Sequence, residues 1–436
     1  MICKRLTRTG RLFAFLRLHR HELFDEAFQK ELAGMYSDKP RGTQPKPPAM
    51  LALVTLLQAY ERKSDAAAVE EAVFDRRWQM VLDCHGAESP PFSQGVLVDF
   101  RRRLMAHDMD RRLLERTVEL AERTGDFGGK VLRVALDSSP LWGAGRVEDT
   151  FNLIAHSVEI IVELAAKVWG RSAEAVYADA GLTLFGKPSL KAALDVDWDD
   201  ASQQGAALMR VITEVRRLRE WIGETIPDKV GEPEMRQALD LLEQIMAQDL
   251  EPDPDGGMRI KRGVAKDRRV SVADGEMRHG RKSKSRVING YKRHVARDLD
   301  STMILAATVR PANEPEHQAA EELRPQVERF GAVGELHVDR GYLASGWARD
   351  IFNSGERLLA KPWVPRNGDC YPKHAFGIDL ERGIVKCPEH VEAEIRGGKA
   401  CFDAAICDSC PSRSLCTRAK PGRGRTISIH PDEAMF

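Results

Sequence analysis

At 436 residues the chain exceeds the roughly 100 to 200 residues of a typical domain, so it predicts two or three domains. A content of 42% hydrophobic and 30% charged residues suits a soluble globular protein, and no apolar run nears the roughly 18 residues of a membrane span. The 66 basic and 66 acidic residues cancel, which excludes any inference about partners from whole-chain charge.

The N-terminus, "MICKRLTRTGRLFAFLRLHRHELF", interrupts every apolar stretch with charge and shows no small-residue cleavage site, so the chain reads as cytoplasmic. Residues 1–125 read as helical. Pro48 stands near a first helical turn, and Leu51, Val54 and Leu57 follow at helical spacing. Ser64 and Asp65 open one helical segment as caps and Ser93 opens another. Short helices joined by Pro-bearing turns predict a bundle. Arg101, Arg102 and Arg103 read as a solvated helix face.

The pattern then changes. "KVLRVALDSSP" is alternating and β-branched, a strand ending in Asp137 before a turn. Residues 148–257 read as helical again and close with the linker-like "DLEPDPDGG". From Met258 to Arg297 there are 14 Lys or Arg against three acids, Asp267, Asp274 and Glu276, where a polyanion would be attracted. "SRVINGYKRHVARD" and "STMILAATVR" read as a hairpin. A helix follows, then the strand "VGELHVD" ending in Asp339, a further helix, and the strand "ERLLAKP".

With residues 150–257 treated as a helical insertion, the order strand, strand, strand, helix, strand, helix, strand predicts an α/β protein with a ribonuclease H-like catalytic core over 126–149 and 258–361. An N-terminal helical domain covers 1–125 and a Cys-rich, ribbon-like segment covers 362–436. In that fold the strands ending in Asp137 and Asp339 are neighbours. Two carboxylates at adjacent strand ends repel unless a hard cation lies between them, so Mg²⁺, or Mn²⁺ in its place, is the expected ion. Metal chemistry of this kind cleaves phosphodiesters. The basic run beside it points to nucleic acid.

"LDSSPLWGAGRVEDTFNLI", "HGRKSKSRVINGYKRHVARD" and "HVDRGYLAS" closely resemble the DDE transposases of bacterial insertion sequences, in the group whose N-terminal helical domain is similar to that of the transposase InsH. The resemblance covers nearly the whole chain. It implies metal-dependent strand cleavage at transposon ends and strand transfer to target DNA, with Asp137 as the first acid of the triad and Asp339 as the second. The family's third acid, a Glu within Tyr-x-x-Arg-x-x-x-Glu, follows the fifth strand. Here the chain ends after "GRTISIHPDEAMF" with no such helix, and Glu433 lacks the Tyr and Arg context. The expectation is a C-terminally truncated transposase of weakened or lost activity. The alternative is a non-catalytic DNA-binding remnant that occupies element ends or forms mixed oligomers with full-length enzyme. Holding two ends together implies a homodimer or larger assembly on DNA, with no membrane partner.

Five of the eight cysteines fall between Cys387 and Cys416. Cys407-x-x-Cys410 has the spacing of a metal knuckle, which Cys387 and Cys416 could complete as a tetrahedral set for structural Zn²⁺. Cys401 is a spare, and an iron–sulfur cluster uses the same number of thiolates. Cys3, Cys84 and Cys370 read as ordinary thiols. "GEMRHGRKS" fails as a phosphate loop because Arg281 separates the second Gly from Lys282. Arg281, Lys282, Lys284 and Lys292 are instead the candidate contacts to the DNA backbone. His337 reads as packed within its strand.

Overall fold

The computed structural model describes residues 10–36, 44–125, 127–128, 131–281, 285–361 and 367–435. They divide into two compact units. Met1–Leu136, Val295–Ala307 and Ala320–Phe436 belong to the first, and Asp137–His294 with Thr308–Ala319 to the second.

The first unit opens with seven described helices, from Arg11–Leu23 to Arg112–Thr124. Local chemistry sets several of their starts. Asp25, Ser64 and Ser93 each accept a backbone N–H of the first turn, from Phe28, Ala67 and Val96, and Pro48, which has no N–H to lose, stands at the start of Pro48–Glu61. Phe13, Leu57, Trp78, Leu97 and Phe100 are fully buried between these helices. Each such side chain contributes about 1.5–3 kcal/mol. Trp78 satisfies its indole N–H on Glu61 Oε2 at 2.9 Å.

Strand β1 (Leu132–Trp142) begins in this unit, with Leu132, Val134 and Leu136 buried and Arg133 and Asp137 exposed. It enters the second unit at Asp137. There, the helices Thr150–Trp169, Ala201–Thr225 and Pro233–Asp249 enclose a core of Val158, Ile161, Val211, Leu218, Leu242 and Ile245. Trp169 meets Trp221 edge-on at 5.1 Å. Glu214 is buried, but its carboxylate accepts the backbone N–H groups of Thr183 and Leu184, so its polarity is satisfied. After the short pair β2 (Leu250–Pro252) and β3 (Met258–Ile260) come β4 (Arg278–Arg281), β5 (Val287–Asp298) and β6 (Ile304–Pro311).

The helix Glu316–Glu328 leads to β7 (Val333–Val338), and the helix Gly346–Asn353 to β8 (Arg357–Ala360). The main sheet has the order β4-β5-β1-β7-β8, with β6 also paired to β5. β1 and β7 are parallel, with Ala135 opposite His337, and β7 and β8 are parallel too. β5 runs antiparallel to β1, since Leu299 N–H reaches Arg133 O at one end and Gly143 N–H reaches Asn289 O at the other. The fold is therefore mixed α/β.

The C-terminal part of the first unit is a five-stranded antiparallel sheet in the order β13-β12-β11-β10-β9. Its strands are β9 (Gly377–Asp379), β10 (Ile384–Lys386), β11 (Glu392–Arg396), β12 (Lys399–Cys401) and β13 (Thr426–Ser428). A small core of Phe376, Val385, Ala400, Phe402 and Ile427 holds it together.

Candidate active site

In the second unit, Asp137 lies on the exposed face of β1 and accepts the N–H of Ser138 at 2.8 Å. Successive strand residues point to opposite faces, and the two serines that follow diverge accordingly. Ser138 is buried and donates its hydroxyl to Glu316 Oε1 at 2.6 Å. Ser139, on the face of Asp137, accepts from Arg293 Nε and Nη2, both at 3.2 Å. The turn after β1 is pinned as well. Asp274 accepts Ala144 N–H at 3.0 Å and the Tyr291 hydroxyl, and burial together with that bond pushes the Tyr291 phenol well above its ordinary range.

In the first unit, Asp339 follows β7 and opens a turn in which Tyr342 N–H returns to its carbonyl at 3.0 Å. Its side chain is half exposed, with Lys361 Nζ 3.6 Å from Oδ1. Glu335, two positions before His337 on β7, is buried. Its Oε1 accepts His337 Nε2 at 2.5 Å and Arg133 Nη2 at 3.0 Å, and Arg357 stands 2.7 Å from Oε2. The bond from His337 and then those from Arg133 hold the Glu335 carboxyl down at about 2. His337 is half-buried on β7. Its side chain keeps a third of its surface in solvent and is held on Glu335.

Among the described residues, Arg259, Arg268 and Arg278 of the basic run meet carboxylates within the second unit. Arg268 grips buried Asp249 through two bonds of 2.7 and 2.6 Å, Arg259 pairs with Glu251, and Arg278 pairs with Asp267. Arg269 donates to the carbonyls of Ser271 and Val272. Lys292 donates to the Glu314 carbonyl at 3.1 Å, and Arg281 is the last residue of β4, opposite Val287. That strand lies inside "GEMRHGRKS". Lys282 and Lys284 lie outside the described residues. Glu433 receives Lys373 Nζ at 2.5 Å and the His430 N–H at 2.8 Å.

Cys387, Cys407, Cys410 and Cys416 line one cavity of about 40 Å³ in the first unit, with Phe376, Val391 and Phe402. Cys387 precedes a tight turn in which His390 N–H bonds its carbonyl, while Cys407 and Cys410 are joined by a similar backbone bond. Burial is the main cause that raises the Cys416 thiol above its ordinary range. As placed, no group of three or more His, Cys, Asp or Glu side chains among the described residues could hold a metal ion. Cys401 is exposed and Cys370 buried.

Arg293, Ser139, Glu316 and Glu335 are absent from the sequence-based candidates. The signal for Arg293 is strand parity, since neighbours on a strand face opposite ways. Ser139 and Glu316 pair across long stretches of chain and leave no local pattern, as does Glu335 with Arg133.

Among the described residues no helix is long and apolar enough to cross a membrane. No curated protein and no solved structure matches the chain. Residues 12–103 match the family model described as a transposase domain, DUF772, and this match supports a transposase family and a transposase role in general.

Proposed function

We propose that the chain is a DNA transposase of the DDE type, cutting and joining phosphodiesters at the ends of its own element through Mg²⁺ or Mn²⁺ bound by Asp137 and Asp339. The observation that carries this reading is the register of β1 with β7. Ala135 pairs with His337 on parallel strands in the first unit; Asp137 lies two residues further along β1, and Asp339 is the residue that follows β7. The antiparallel pairing of β1 with β5, β6 beside β5, and parallel β7 and β8, each after a helix, support a ribonuclease H-like core.

The donor chemistry fits a hard cation. Both carboxylates are exposed, one held by a backbone N–H and the other beside an ammonium, so each keeps oxygens for a metal that prefers carboxylate, water and phosphate ligands. When bound, such an ion polarises the phosphodiester and lowers the pKa of the attacking water or hydroxyl. The chain's own part is to carry Asp137 within β1 and Asp339 just after β7, and to offer cations to the phosphate backbone. Because two ends must be held at once, the proposal includes a homodimer or larger assembly on DNA. The Cys387, Cys407, Cys410 and Cys416 cavity is proposed separately as a structural Zn²⁺ site. The knuckle spacing and the shared cavity support it.

The test is cleavage of a labelled duplex carrying the element's terminal repeats, with Mg²⁺ or Mn²⁺, beside Asp137→Ala and Asp339→Asn. Metal-dependent cleavage lost in both variants is expected. Cleavage that survives both overturns the assignment. A second reading, a non-catalytic protein that occupies element ends, is favoured by the capture of Glu433 on Lys373 and the His430 N–H, which leaves it bound elsewhere. Binding without cleavage by the wild-type chain would select that reading.

A further inference from the structure

Arg293 differs from Arg259, Arg268 and Arg278 of the basic run. Arg259, Arg268 and Arg278 each meet a carboxylate, but Arg293 is exposed and, among the described residues, its guanidinium meets only the Ser139 hydroxyl oxygen. An arginine held by a neutral oxygen keeps its full charge available to an anion. It is also fixed in place: Nε and Nη2 converge on one Oγ, which orients the planar group while leaving other N–H donors free.

Ser139 contributes a second feature. Its oxygen accepts both guanidinium N–H groups, so its own proton is free to donate outward. A fork of cationic N–H donors beside a hydroxyl donor suits the non-bridging oxygens of a phosphodiester. The position is specific as well. Ser139 lies two residues beyond Asp137, on the same face of β1, and Lys292, the neighbour of Arg293, is instead turned to the Glu314 carbonyl.

We infer that Arg293, oriented by Ser139, binds a backbone phosphate of the nucleic-acid strand that lies along the Asp137 face of β1. The inference rests on the transposase reading and adds the residue that takes the phosphate.

The test measures binding of the full-length chain to a fluorescently labelled duplex of about 30 base pairs, by anisotropy, between about 50 and 200 mM salt. One lost phosphate contact lowers the slope of log affinity against log salt by about 0.9, so this salt rise should weaken the wild-type chain about threefold more than Arg293→Ala. Arg293→Lys keeps the charge and should restore the slope, whereas Ser139→Ala should keep the slope and lower affinity. A role confined to bracing Ser139 would leave the slope untouched. Arg293→Ala with a wild-type slope overturns the inference while leaving the transposase reading standing. A wild-type chain that binds no duplex overturns both.

Discussion

Ser138 and Glu316, 178 residues apart in the chain, share a hydrogen bond of 2.6 Å on the buried side of β1, one residue past Asp137. The bond fixes the buried side of β1 at the residue where its exposed side carries Asp137. Ser138→Ala removes the hydroxyl but keeps the N–H that Asp137 accepts. A hydrogen bond to a charged group contributes about 1.5–3 kcal/mol, and because Glu316 is only partly buried the low end applies. The chemical-denaturation midpoint of Ser138→Ala should fall accordingly. An unchanged midpoint would show that water replaces the hydroxyl at no cost.

Gly290 on β5 has φ +141°, and a Cβ added there would lie 2.2 Å from Gly143 N and 2.6 Å from Leu141 O. Backbone cannot yield as a flexible side chain can. Gly290→Ala should therefore cost at least the roughly 1–3 kcal/mol typical of overpacking, and it should break the Gly143 to Asn289 bond that ties β1 to β5. Gly205 is the opposite case, a helical glycine with open space around its Cβ position. Gly205→Ala should stabilise by about 0.4–1 kcal/mol. Thermal unfolding of the two variants should move in opposite directions, and a common direction would contradict the account.

Strong local signals are what the sequence made legible. Ser64 and Ser93 cap helices as read, Pro48 opens one, and the alternation of Leu132, Val134 and Leu136 marks β1. The short elements were not legible. β4 contains Arg, His and Gly and exists through its pairing with β5, while β9 to β13 are three to five residues each, too short to show a period. Charge counting within the basic run does not show that Arg259 and Arg268 meet carboxylates that precede it, Glu251 and Asp249. Nor does composition distinguish Lys292 from Arg293. Only the pleat does, sending one to a backbone carbonyl and the other to Ser139.

Glu335 predicts an acid-range dependence of stability. Its carboxyl is depressed from the ordinary 4.5 to about 2 by His337, Arg133 and Arg357, with Asp300 sharing Arg133. A depressed acid binds fewer protons folded than unfolded, so its contribution is complete above pH 4.5 and disappears as the pH falls through about 2. Glu335→Gln should therefore be less stable than wild type at neutral pH, with the gap closing between about pH 4.5 and 2. Denaturation curves across that window measure it. A gap constant with pH would mean that the cost of the substitution is packing rather than charge.

The cysteines give an ordering of reactivity and, with it, a test of the zinc proposal. Thiol reagents attack the thiolate, so exposure and proton affinity together set the rate. Among the described cysteines, in the presence of a chelator, exposed Cys401 should label first and buried Cys370 last. The half-buried Cys387, Cys407 and Cys410 should fall between, with Cys416 slower than these three because burial favours its protonated form. Zinc would replace the thiol protons and close the four sulfurs around one ion. Added Zn²⁺ should then protect Cys387, Cys407, Cys410 and Cys416 together and leave Cys401 reactive, with site-by-site labelling read by mass spectrometry. If Zn²⁺ left all four rates unchanged, the cavity would be a small apolar core that happens to contain sulfur, and the chain would fold without the metal.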